Sequence, residues 1–237
     1  MQKEYRKWRS PSLGKDMQLL IFGDSGAPVI VFPSETGSYT EWEENGVIDA
    51  LSEQIHLGYN QLFCVDSVYQ RGLLNESLKP EKRLTCQIQY ECYIIEEVIP
   101  FIKEQNEHFF MMTAGVGLGA WEAILLALKH PEDFDKVIGV SGEFDIRKYL
   151  NDHFNETAYY NNPVDFVPNL NDPKILNELG NLDLRLVSYD NDPHKESTER
   201  MSRTLWMKML EHRLDIWSVE PSDLWKLWGE MIKTHII

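Results

Sequence analysis

The chain has 237 residues, 43% of them hydrophobic and 26% charged, which suits one α/β domain with a sizeable core. Lys and Arg number 23 against 38 Asp and Glu, a net charge of −15. That sign argues against nucleic acid and anionic membrane as partners, since both need basic patches. No apolar leader follows Met1, and no apolar run approaches the ~20 residues of a membrane span. Cys64, Cys86 and Cys92 cannot all pair with one another, and they read as reduced thiols in a cytoplasmic protein. With no C-x-x-C and no tight His/Cys cluster, neither a metal nor another cofactor is expected.

In chain order, residues 17–22 and 29–32 are strand candidates separated by Gly23-Asp-Ser-Gly26, a hairpin signal that suggests an antiparallel start. Residues 33–37 form a loop at a strand's carboxyl end. Residues 42–57 have helical spacing, and Gly58 supplies the stop. A strand over 61–65 and an irregular stretch over 68–83 precede a long helix over 87–105, which Pro100 should kink. A strand over 109–113 leads into the glycine turn, and a helix over 120–130 follows it. Next come a strand over 136–141 and an irregular insertion over 144–180 of the kind that covers active sites. A strand over 184–188, a helix over 197–213, a strand over 214–218 and a helix over 223–234 complete the chain. Strands alternating with helices imply a mainly parallel sheet covered on both faces.

The turn Gly115-Val-Gly-Leu-Gly-Ala-Trp121 is the pivot of the functional reading. Strand, glycine turn, helix is the geometry of a nucleophile elbow, G-x-S-x-G, but Gly117 stands where the Ser would be. It is also the geometry of a dinucleotide fingerprint, which Gly115, Gly117 and Ala120 satisfy literally. That fingerprint normally opens a fold on its first strand, whereas three strand candidates precede it here. Nucleotide binding at 115–120 is therefore the weaker alternative.

Nearly the whole chain, from about residue 5 to residue 231, resembles a bacterial family of α/β-hydrolase-fold esterases related to the esterase D group. Four stretches carry most of it: the opening around Tyr5-Arg-Lys-Trp-Arg-Ser-Pro, then Pro28-Val-Ile-Val-Phe-Pro-Ser-Glu-Thr-Gly37, Tyr90-Glu-Cys-Tyr-Ile-Ile-Glu-Glu97 and His130-Pro-Glu-Asp-Phe-Asp135. The resemblance implies an α/β-hydrolase fold over 1–237: a mainly parallel sheet of about eight strands, helices on both faces, and the 144–180 insertion after the sixth strand.

The resemblance also places the family's chemistry. Its elbow reads G-C-S-M-G-A-Y, so its nucleophile falls on Gly117. Its catalytic His, in an H-D-W-x-x-W stretch, falls on Asp223, or on Ser222 with one residue of slippage. Its acid falls on Asp192, with Asp190 as the neighbouring alternative. Backbone N–H groups of Leu118 and of Ser34 or Glu35 would form the oxyanion hole. Glycine offers no nucleophile, and Asp at neutral pH is a poor substitute for imidazole. The expectation is a catalytically degenerate hydrolase that retains a small-molecule pocket at the elbow. An active carboxylic- or sugar-ester hydrolase with another nucleophile, Cys64 or Ser34, is the alternative.

Plain structural roles compete for several of these residues. Asp192 and Asp190 sit in a turn-forming stretch, and Asp223 after Ser222 reads as a helix cap. Ser141 reads as structural. The histidines read as solvated or satisfied, with His153 in the insertion as the one that would reach a pocket. Residues 231–237 would cover either the core or the interface of a homo-oligomer.

Overall fold

The computed structural model describes residues 1–35 and 37–237. Thr36, inside the expected 33–37 loop, lies outside the described residues. The architecture is an eight-stranded sheet in the order β1-β2-β4-β3-β5-β6-β7-β8. Its strands are β1 (Lys3–Arg9), β2 (Asp16–Phe22), β3 (Ala27–Phe32), β4 (Asn60–Val65), β5 (Met112–Val116), β6 (Lys136–Val140), β7 (Asp183–Tyr189) and β8 (Arg213–Trp217). β2 runs antiparallel to both β1 and β4, and every other neighbouring pair is parallel.

The antiparallel start is present, but not where the sequence pattern puts it. The hairpin joins β1 to β2, in register from Lys3↔Phe22 to Arg9↔Asp16. The two strands flanking Gly23-Asp-Ser-Gly26 do not pair, because β4 lies between them. β1 escapes a pattern search because Lys-Glu-Tyr-Arg-Lys-Trp-Arg is largely exposed and lacks apolar alternation. Charge on an edge strand of this kind also discourages edge-to-edge association.

The central strands bury both faces, and alternate residues enter opposite cores. Ile30, Phe32, Phe63 and Val65 pack into one cluster with α1 (Pro80–Tyr93), α2 (Ile99–Gln105), α3 (Leu118–Lys129) and α4 (Lys195–Met207). Val29, Val31, Leu62 and Cys64 pack into the other with residues from 42–55 and from α5 (Leu224–His235). Met231, Ile232 and Ile236 are buried there, so the final apolar segment serves the core.

Other boundaries shift for identifiable reasons. The expected helix over 42–57 is three short helices, Glu41–Glu44, Val47–Ala50 and Ser52–His56, the first two parted by Gly46 at φ 77°. The expected 87–105 helix begins earlier, with Pro80 in its first turn, and widens into a π turn at Ile94–Val98 just before Pro100. Proline's missing N–H and its ring disrupt the regular helical ladder at that point. β5 lies three residues later than the Phe-Phe-Met-Met run suggests, and Phe109 is 88% exposed. The 144–180 insertion forms short helices that bury Phe144, Ile146, Val167 and Leu179 against the first cluster. The Trp121 indole on α3 donates to the Asn161 carbonyl at 3.2 Å, fastening the insertion to the elbow helix.

Candidate functional site

The turn between β5 and α3 is a sharp strand-to-helix elbow with Gly117 at φ 59°, ψ −121°. Side-chain-bearing residues rarely occupy that region. The amide of Gly117 donates to Val140 O at 3.1 Å, which ties the elbow to β6. The flanking glycines have steric reasons of their own. A Cβ on Gly115 would stand 2.1 Å from the Gly119 carbonyl oxygen, and one on Gly119 would stand 2.4 Å from that of Pro33. Close backbone packing of β5, α3 and β3 therefore accounts for both.

A carboxylate occupies the space in front of Gly117. Both Glu35 oxygens lie 2.8 Å from where a Gly117 Cβ would be. Gln70 Nε2 holds the backbone of Glu35 through its carbonyl, at 2.9 Å. Sequence reading placed Glu35 in this loop for its amide alone. That its side chain reaches the elbow follows only from the packing of the β3 loop on α3.

The elbow donors are partly as expected. Leu118, the first residue of α3, has an amide with no helical carbonyl to bond, and it is fully buried. The Ser34 amide, by contrast, is engaged: it donates to Glu41 Oε2 at 2.5 Å, while Ser34 Oγ donates to Glu41 Oε1 at 2.7 Å. Ser34 is thus removed both as an oxyanion donor and as a nucleophile by a buried carboxylate seven residues on. The Glu35 amide has no acceptor among the described residues, so of the two loop donors it is the one still available.

Asp192 lies at the carboxyl end of β7 and is 6% exposed. Its carboxylate accepts from Ser141 Oγ at 2.8 Å, Ser188 Oγ at 2.7 Å and the His194 amide at 2.8 Å. Two hydroxyls and an amide thus engage this carboxylate. Ser141, at φ 52°, is anchored by that bond, in keeping with a structural role. Asp190 is exposed and ion-paired with Lys195 at 3.1 Å. Asp223 is the cap of α5, its Oδ1 accepting from the Lys226 amide at 3.2 Å, and both it and Ser222 are exposed. Among the described residues no contact joins either of them to Gly117 or Asp192. The pattern placed five candidates at one site. The structure gives Gly117 and Asp192 positions at the carboxyl edges of β5 and β7, and makes Asp223 a helix cap.

Cys64 faces the second core at 2% exposure, and burial pushes its thiol well up, which leaves it no thiolate for nucleophilic attack. His153 stands 3.7 Å from Glu81 rather than at the elbow.

Sequence reading missed a polar group at the carboxyl edge of β6 and β7. Glu143, after β6, receives Lys148 Nζ at 2.5 Å and Ser197 Oγ at 2.8 Å. His194 Nδ1 lies 3.5 Å from the same carboxylate, an ion-pair distance rather than a well-formed hydrogen bond. Burial would raise Glu143, but His194, Lys148 and Ser197 outweigh it and hold the carboxyl at about 2. The Glu143 carboxylate in turn raises His194 against partial burial. An acid after one strand and a histidine after the next carry no local motif, so spacing could not pair them.

A cavity of about 620 Å³ opens at the opposite edge of the sheet, among Tyr59, Phe110, Met112 and Lys136, and includes none of these residues.

No family model matches the sequence, and no curated protein matches it either. Solved structures do match. A ferulic acid esterase superposes with a TM-score of 0.76 at 12% identity, over 98% of this chain and 95% of the other. An S-formylglutathione hydrolase from Agrobacterium tumefaciens gives 0.75 at 14% identity, over 99% and 92%. Carboxyl esterase 2 from Tuber melanosporum gives 0.63 at 12%, over 100% and 87%. At such identities the likeness shows the fold: the chain has the α/β-hydrolase fold, as the sequence resemblance implied.

Proposed function

We propose that the protein is a catalytically degenerate member of the esterase-like α/β-hydrolases, binding a small molecule at the elbow without turning it over. The carrying observation is Glu35, whose carboxylate stands where a nucleophile's side chain would project from Gly117. Acyl transfer needs an oxygen or sulfur nucleophile and a base that takes its proton. At this elbow the first is absent, and the acid that would orient the second is already engaged by two serine hydroxyls. The buried Leu118 amide and the start of α3 keep a partial positive charge at the same place, which favours a ligand carbonyl or carboxylate. A ligand reaches it by displacing the Glu35 side chain, the movable end of a flexible group. The insertion over 144–180, fastened to α3 through Trp121, would form one wall.

The test is labelling and turnover together. The wild type is expected to hydrolyse short-chain p-nitrophenyl esters no faster than buffer and to resist a fluorophosphonate probe. Gly117→Ser combined with Glu35→Ala restores a hydroxyl without a base, so it too should stay unlabelled. Wild-type turnover well above buffer, or a wild-type adduct, would overturn the reading.

A second reading, an active hydrolase, is favoured by the Glu143–His194 pair, which supplies a carboxylate-supported imidazole at the same edge of the sheet. A mapped adduct near His194 would favour it. Nucleotide binding at 115–120 is weaker still, because Gly115 and Gly119 are already required by backbone packing.

A further inference from the structure

A small polar cavity of about 180 Å³ lies at the carboxyl end of β4, beside the elbow loop. Lys15, from the turn between β1 and β2, and Arg71, from the segment after β4, both line it, with Asp66, Ser67 and Gln70. Among the described residues neither Lys15 nor Arg71 makes a side-chain hydrogen bond or ion pair. Burial lowers the Lys15 ammonium pKa, and the facing Arg71 lowers it further. Asp66 is the carboxylate on this wall. Burial raises it, the two cations pull it back, and it reaches ion-pair distance of neither.

Lys15 is half-buried and Arg71 is exposed, so solvent screens part of their repulsion, and an anion between them would relieve the rest. In a chain of net charge −15, the local sign is reversed here by two cations against one carboxylate. Ser67 adds a buried hydroxyl, and Gly37, at φ 71°, leaves it room, since a Cβ there would stand 2.5 Å from Ser67 Oγ. The space is smaller than the ~300 Å³ at which whole-ligand pockets begin, so it suits one functional group.

We infer that Lys15 and Arg71 form an anion subsite that takes the terminal carboxylate or phosphate of a small ligand. Arg71 offers a planar, two-pronged donor to such a group, and Lys15 a point charge. Gln70 lines the cavity and also donates to the Glu35 carbonyl, so the subsite adjoins the loop over Gly117. A ligand with an anionic end here and a carbonyl at the elbow would span both. The inference rests on the cavity alone and holds whether or not the elbow is catalytic.

The experiment is a titration of the purified protein with inorganic phosphate and, separately, with succinate. Ionic strength is held constant with sodium chloride, and binding is followed by calorimetry and by melting temperature. Saturable binding of at least one anion is expected. Arg71→Gln or Lys15→Gln should each weaken it about tenfold, the value of one lost charge-assisted contact. Arg71→Glu should abolish it, and Arg203→Gln, on the exposed face of α4, should leave it unchanged. Preference between the anions tells phosphate from carboxylate. No saturable response to either anion, or equal responses in all variants, overturns the proposal. Because no turnover is read, failure here leaves the elbow reading standing.

Discussion

Glu122 illustrates how one side chain can set a property of the whole protein. It is fully buried on α3, where Gln87 Nε2 donates to both of its oxygens at 2.8 and 2.9 Å. Burial pushes its carboxyl up to about 8, against the pull of Gln87. A raised pKa in the folded state means that stability is fully present below the unfolded value near 4.5 and is lost as pH rises through about 8. At about 1.4 kcal/mol per pH unit the loss is several kcal/mol. Glu122→Gln keeps the hydrogen bond to Gln87 and removes the titration. Urea denaturation should show little change at pH 5 and a gain of about 2–4 kcal/mol at pH 9. Equal effects at both pH values would refute this. At the elbow, Gly117→Ser forces a side chain into a positive-φ conformation and should cost about 1–3 kcal/mol. Adding Glu35→Ala should recover only the small part due to crowding, because the strain lies in the backbone.

Among the elements, the close approach of α3 to β3 does most to place the site. Gly119→Ala would set a Cβ 2.4 Å from Pro33 O and 2.6 Å from Phe32 O, and both neighbours are backbone. Neither can swing aside, so α3 must move. The expected loss is about 1–3 kcal/mol or more by urea denaturation, together with loss of the elbow geometry. A neutral Gly119→Ala would show that the helix is not held so close. α5 offers a contrasting case. Asp223→Ala removes the side-chain bond to the Lys226 amide and should cost about 1 kcal/mol by the same measurement. Its effect on any ligand binding at the elbow should be nil, since Asp223 acts as a cap. The parallel strands and the helix after the glycine turn were legible from apolar runs and turn residues, but the order of the strands in the sheet was not. β1 was not, because an edge strand exposed on both faces has no periodicity to read.

For the whole molecule, a net charge of −15 and an isoelectric point near 4.9 govern solution behaviour. Turbidity should peak near pH 5, where self-repulsion vanishes, and the protein should stay dispersed at pH 7. A turbidity maximum well away from pH 5 would point to association through something other than charge. No helix among the described residues is long and apolar enough to cross a membrane.

The sequence by itself determined the α/β class and the glycine turn at 115–119, because apolar periodicity and turn residues are local facts. It also determined that Asp223 could be a helix cap, since capping is local as well. Tertiary structure alone decided which side chains meet at and around that turn. Glu35 meets Gly117 across 82 positions of chain, Ser141 and Ser188 converge on Asp192 from neighbouring strands, and Lys15, just before β2, lines one cavity with Arg71, after β4. Such encounters depend on strand order and helix packing, and a one-dimensional pattern carries no record of either.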